Sequence, residues 1–346
     1  MLRTLREIIG STQERLAESV GVDTNTIKGW ETGRRPLINA SGRTLYGLRR
    51  RLTQLGAPAE LVQRLDTAMD ADLFIAHALD ASDAAYLGSW VATRAWSDLL
   101  AWVCTDRPPP LVTKHITKPP QPLLPSADRR RFFEVLRNAA ESAAGENASA
   151  MLLRRQAYYM VAWDPESEDW LLSMERRELR HHGRPGYEWT PAWPLMRSIA
   201  VARACQGDPS LLHDFIDSHL ADDLRESANL NYWSYWVEET AGVAGSDQFM
   251  ADDLGAWQGG VLLRHLADGL ARGVPYLSLS IRASRTLVER RPTLLMENRE
   301  LAARLDRRAS NLLDLPVGLP PKIRRDLENV HFAAKMAAGL HRSNHD

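Results

Sequence analysis

The run Thr24-Asn25-Thr26-Ile27-Lys28 carries side chains able to read a nucleic-acid base edge at close range. The Asn25 amide can pair bidentately with adenine, its oxygen accepting from N6 and its nitrogen donating to N7. Lys28 can donate to guanine, and Thr24 can donate, accept or touch a thymine methyl. Arg34 and Arg35 follow closely, where guanidinium groups suit backbone phosphates, and Arg43 is a further candidate of that kind. Other clusters offer less. His181 and His182 sit in a polar, Gly/Pro-containing stretch, RRELRHHGRPGYEW, without metal-ligand spacing, so a surface loop is expected and no metal site. Consecutive helical side chains diverge by about 100°, so Asp222-Asp223 and Asp252-Asp253 read as solvated faces rather than ion sites. No nucleophile-elbow, phosphate-loop, dinucleotide-binding or kinase pattern occurs, so neither a catalytic residue nor a cofactor is expected.

To present Thr24, Asn25 and Lys28 together, the segment must be a short helix held by its neighbours. A first helix is expected to end near Ile9–Gly10. Ser11 or Thr12 then caps a second, with Glu14 placed for the reciprocal capping contact. Leu16, Ala17 and Val20 form its buried face. Gly21 supplies the positive φ of a tight turn, and Val22 plugs the gap between helices. Asp23 caps the third helix, with Ile27 and Trp30 inward and Thr24, Asn25, Lys28 and Gly29 outward. Gly33 ends it.

Thr12-Gln13-Glu14, Leu16-Ala17, Gly21-Val22, Thr26-Ile27, Trp30-Glu31 and Gly33 together resemble the helix-turn-helix of the lambda-repressor-like, Xre-type family. The resemblance covers residues 2–37 closely. It extends further if helices at Thr44–Leu55 and Ala59–Met69 complete a five-helix domain. It implies binding to double-stranded DNA, with the third helix in the major groove. Gln13 falls where the family contacts a phosphate and braces that helix. The implied DNA-binding set is Thr12, Gln13, Thr24, Asn25, Thr26, Lys28, Arg34, Arg35 and Arg43. Gly29 departs from the pattern, because its slot often carries a long polar side chain.

Charge along the chain agrees with a localised basic face. The 346 residues carry a net charge of −1, yet residues 1–55 hold ten Arg/Lys against five Asp/Glu, and residues 56–106 hold two against eight. No apolar run is long enough for a membrane span. The charged N-terminal stretch is unlike a signal peptide, and Cys104 and Cys205 lie far apart, so a cytoplasmic protein without disulfides is expected.

Residues 107–127 contain seven prolines in 21 residues and read as an extended linker. Its aliphatic residues Leu111, Val112, Ile116, Leu123 and Leu124 suggest an arm docked along the C-terminal module. The expected organisation is all-α: a helix-turn-helix domain over 1–75, a helical extension over 76–106, the linker, and a helical dimerisation or regulatory domain over 128–346 of eight or nine helices. Leu87, Val91, Ala95, Leu99 and Val103 at helical spacing place one helix before the linker. Aromatics in NLNYWSYWVEE suit either a core or a small-effector pocket, with packing preferred. The functional expectation is a transcriptional regulator that binds a palindromic operator as a homodimer through the C-terminal domain, answering to a small-molecule or protein effector. The alternative is a helical protein-interaction or defence-type component using the helix-turn-helix for docking or autoregulation.

Overall fold

Local capping and apolar spacing build the chain entirely from helices and turns, with no strand among the described residues. The computed structural model describes residues 1–120, 124–182, 189–315 and 318–340. Two compact units emerge: Met1–Tyr86 with Arg94–Ala139, and Leu87–Thr93 with the chain from Ala140 onward.

The first unit opens with α1 (Leu2–Ile8), α2 (Gln13–Val20), α3 (Thr24–Glu31) and α4 (Gly42–Gln54). It continues with α5 (Ala59–Val62), α6 (Leu65–Ala81), α7 (Arg94–Thr105), α8 (Pro110–Thr113) and α9 (Ser126–Ser142), of which residues to Ala139 belong to this unit. Leu5, Leu16, Ile27, Leu48, Leu52 and Leu61, from five different helices, meet in one core. Phe74 of α6 packs edge-on to Phe132 of α9, with ring centroids 5.7 Å apart, and against Trp96 of α7 at 5.4 Å.

The second unit contains α10 (Ala148–Val161), α11 (Glu168–His182), α12 (Ala192–Cys205), α13 (Ser210–His219) and α14 (Asp223–Trp236). After these come α15 (Gly260–Gly269), α16 (Leu277–Arg290), α17 (Thr293–Glu297), α18 (Arg299–Asp314) and α19 (Pro321–Leu340). The described chain from Ala140 therefore forms more helices than the apolar spacing suggests. α12 is buried along its whole circumference from Ala192 to Ala204, as a central helix must be. Buried cations here are neutralised within the unit. Arg282 donates to Asp326 at 3.0 Å and lies 2.7 Å from Glu226, and Arg285 donates to Glu226 at 2.9 Å.

Two expectations from the apolar pattern change. Residues 87 and 91 do not continue α7 backwards: Leu87–Thr93 joins the second unit, where Val91 is fully buried. The buried Gln156 amide serves its backbone, donating to Leu87 O at 2.6 Å and Trp90 O at 2.9 Å, while its oxygen accepts from Ala92 N at 2.6 Å. A helical periodicity test cannot distinguish this from helix, because the apolar spacing is the same and a distant side chain satisfies the backbone.

The proline-rich stretch also behaves differently. Its described residues belong to the first unit, not to the C-terminal module and not to a free tether. α8 interrupts it, and Val112 is fully buried in the core that contains Leu48, Leu61 and Trp102, flanked by Leu111 and Ile116. Glu60 of α5 accepts from Lys114 Nζ at 3.1 Å and contacts His115, pinning the arm. Leu123 lies outside the described residues. Burying Val112 is worth about 1.5–3 kcal/mol. Val112→Asp is therefore expected to accelerate tryptic cleavage after Lys114 roughly 10–100-fold through local opening. Equal cleavage of the two proteins would show that the arm is not docked.

Candidate nucleic-acid interface

α2 and α3 meet through Gly21, Val22 and Asp23, and each junction residue has a local physical role. Gly21 adopts φ 79°, a left-handed conformation that costs glycine little. Val22 is half-buried against the core. Asp23 caps α3, accepting from Thr26 N at 3.1 Å and from the Thr26 hydroxyl at 2.8 Å. The Thr26 hydroxyl, then the backbone amides, hold the Asp23 carboxyl below the usual carboxylate range. α2 is capped by Thr12 rather than Ser11, with Thr12 Oγ1 accepting from Arg15 N at 3.2 Å. Glu14 thus sits one position earlier than a reciprocal capping box requires. Its own backbone N–H and the Thr12 hydroxyl lower its carboxyl pKa instead.

The last turn of α3 is fixed by an arrangement that local spacing does not reveal. Glu31, whose side chain is 2% exposed, accepts from Arg6 Nε at 2.6 Å, Arg6 Nη2 at 3.1 Å and Gln13 Nε2 at 2.7 Å. Arg6 also donates to Ser11 O at 3.0 Å. One carboxylate thereby joins α1, α2 and α3. Gln13 and Glu31 both belong to the matched pattern of residues, whereas Arg6, 25 residues before Glu31, lies outside it.

On the outer side, Asn25 and Lys28 are exposed and Thr24 is half-exposed, all within one face of the helix. Their side chains donate no hydrogen bond and form no ion pair among the described residues. Thr32 is exposed beyond Lys28 on the same side, a position the sequence reading missed. Arg34, Arg35 and Arg43 are also exposed, the last in the first turn of α4. Thr12 and Thr26 belong to the caps, so their hydroxyls position the helices. Gly29 does not face out as expected. It is buried, and a Cβ there would lie 3.2–3.3 Å from three carbons of Arg35, whose amide donates to Gly29 O at 3.1 Å. The slot lacks a long side chain because Arg35 folds across it.

The other sequence candidates are dispersed. His181 and His182 form the last turn of α11 rather than a loop. Their rings contact edge-on at 4.9 Å, but His181 faces Glu146 at 3.2 Å and His182 faces Glu178 at 3.2 Å. Asp222 caps α14 through Arg225 N, and Asp223 pairs with Arg290 at 2.9 Å. Asp252 and Asp253 are exposed, in a segment whose backbone carbonyl at Asp252 accepts from Asn231 at 2.6 Å. Among the described residues no group of three metal-ligating side chains converges. Arg129 and Arg131 donate to Cys104 O and Ser82 Oγ, each at 3.2 Å.

The aromatic run of α14 is core. Tyr232, Trp233 and Tyr235 are buried, and Asn231 is saturated by Met250 O, Asp252 O and the Trp257 indole. The Arg197 guanidinium lies 4.3 Å from the Tyr232 ring centre and 5.2 Å from that of Trp233.

Among the described residues, no helix is long and apolar enough to cross a membrane. No protein-family model, curated protein or solved structure matches the chain.

Proposed function

We infer that this protein is a sequence-specific DNA-binding transcriptional regulator that reads a palindromic site as a homodimer. The supporting observation is the asymmetry of α3. Glu31 in its last turn is bolted to α1 and α2, while the side chains of Thr24, Asn25 and Lys28 on its solvent-facing turns are uncommitted to any intramolecular bond. A rigid helix that keeps amide, hydroxyl and ammonium groups available matches what base reading in the major groove requires. Arg34, Arg35 and Arg43 flank that face and suit phosphate contacts that set register.

The test is selection of bound genomic fragments followed by footprinting, repeated on single variants. Asn25→Ala is expected to cost about 1–3 kcal/mol at one base pair and relax the consensus there. Arg34→Ala should weaken binding nearly equally on all sequences and lower the salt slope by about one. An Asn25 variant with unchanged affinity and consensus would overturn the docking. Failure to recover any preferred sequence would overturn the function. These residues are exposed, so their replacement leaves the core intact.

A further inference from the structure

α19 presents two different sides. Ile323, Leu327, Val330 and Ala334 are buried within the second unit, and His331 faces Asp306 of α18 at 3.0 Å. The opposite side carries Arg325, Glu328, Phe332, Lys335, Met336 and Gly339, all exposed. Phe332 is 66% exposed and Met336 48%. At about 100° per residue these positions form one stripe roughly 100° wide with Phe332 near its centre. A large aromatic and a methionine held side by side in water are unusual on a helix otherwise well patterned.

We propose that this stripe is a self-association surface, covered by the same stripe of a second copy running antiparallel about a two-fold axis at Phe332. The argument is charge register. In an isologous antiparallel pair, a residue n positions after Phe332 faces the one n positions before it in the other copy, and equivalent flanks face each other. With a rise of about 1.5 Å per residue, Glu328 lies about 6 Å to one side of the axis and Lys335 about 4.5 Å to the other. Both occupy the same flank. Each Glu328, whose carboxylate also lies 3.4 Å from Arg324 of its own helix, therefore comes opposite the second copy's Lys335, twice per dimer. The two Phe332 rings meet at the axis, and Met336 extends the apolar contact on the other flank. Arg325 falls opposite Gly339, where an added Cβ would meet nothing within 4 Å, so its long side chain has room. A parallel arrangement sets each flank against the opposite one, leaving Glu328 beside Asn329 and Lys335 beside Met336, so neither ion pair forms. The sequence thus selects both the occupant and its direction.

This inference deepens the dimeric part of the reading above and is independent of DNA. The experiment is sedimentation equilibrium of the full chain and four variants: Phe332→Asp, Glu328→Lys, Lys335→Glu and the double exchange Glu328→Lys/Lys335→Glu. The wild type is expected to dimerise. Phe332→Asp should raise the dimer dissociation constant by about 100-fold, because it places two carboxylates at the apolar centre. Each single charge reversal should raise it roughly 10-fold, and the double exchange should restore most of the loss. Circular dichroism of all four should match the wild type, since the side chains are exposed. A monomeric wild type, a dimer indifferent to Phe332→Asp, or a double exchange no better than the singles would overturn the proposal. The same outcomes would leave the surface to a foreign helix or another partner. A dimer that obeys the charge exchange but selects no DNA sequence would overturn the functional reading alone. Sequence-specific binding by a dimer that ignores these variants would overturn this surface alone.

Discussion

Asp247→Ala is expected to destabilise the second unit by about 3–5 kcal/mol, the largest effect of any single polar substitution considered. Arg155 of α10 is 3% exposed and makes a two-pronged contact with Asp247, with Nε donating to Oδ2 at 2.8 Å and Nη2 donating to Oδ1. Burial opposes the Arg155 charge, but Asp247 more than compensates, so the guanidinium stays protonated more firmly than a solvated one. Removing the carboxylate strands that cation beside the Tyr232 ring, whose centre lies 5.4 Å away. Denaturant unfolding followed by tryptophan fluorescence provides the measurement. Arg155→Met/Asp247→Leu should recover most of the loss, because a desolvated pair is often replaceable by apolar groups of similar volume. A loss below about 1 kcal/mol in Asp247→Ala would show that the pair is solvated and that the second unit is packed differently.

Glu31→Ala should destabilise the first unit by about 3 kcal/mol and weaken DNA binding on every sequence alike. The carboxylate is 2% exposed and is the common acceptor of Arg6 and Gln13, so its loss leaves two donors without their partner and frees α3 to rotate. Glu31→Gln separates the two effects. It preserves shape and an acceptor oxygen but removes the charge that holds the Arg6 guanidinium, so stability should fall by less than in alanine. The pattern to look for is loss of affinity without a change of consensus, opposite to the pattern expected of Asn25→Ala. Wild-type stability in Glu31→Ala would mean that the three-helix brace does not bear on the position of α3.

The junction between α2 and α3 was readable because each of its contacts spans only a few residues. Asp23 reaches Thr26, Thr12 reaches Arg15, and Gly21 needs only its own φ. Such interactions follow from side-chain length and helix geometry before any tertiary contact forms. The outward placement of Asn25 and Lys28 follows equally from a 3.6-residue period once Ile27 is assigned to the core. Gly29 shows where that reasoning stops. Its helical angle is exposed, but Arg35 returns across it from outside the helix, and no periodicity carries that information.

What the amino-acid order determined alone was therefore the all-helical character, the capped turn between α2 and α3, and the excess of ten basic over five acidic residues in the first 55 positions. Each depends on propensity, spacing or composition. Tertiary structure alone decided which unit claims a segment. Seven prolines set the local stiffness of residues 107–127, yet Val112 reaches a complementary space among Leu48, Leu61 and Trp102, and the described arm folds onto the first unit. Leu87–Thr93 has helical apolar spacing, yet Gln156, 64 to 69 residues away, bonds its backbone in a form other than an α-helix. Asp247 meets Arg155 across 92 residues. Partners so distant are selected by shape and by the cost of leaving a buried polar group unmatched, and that cost arises only once the chain has closed around it.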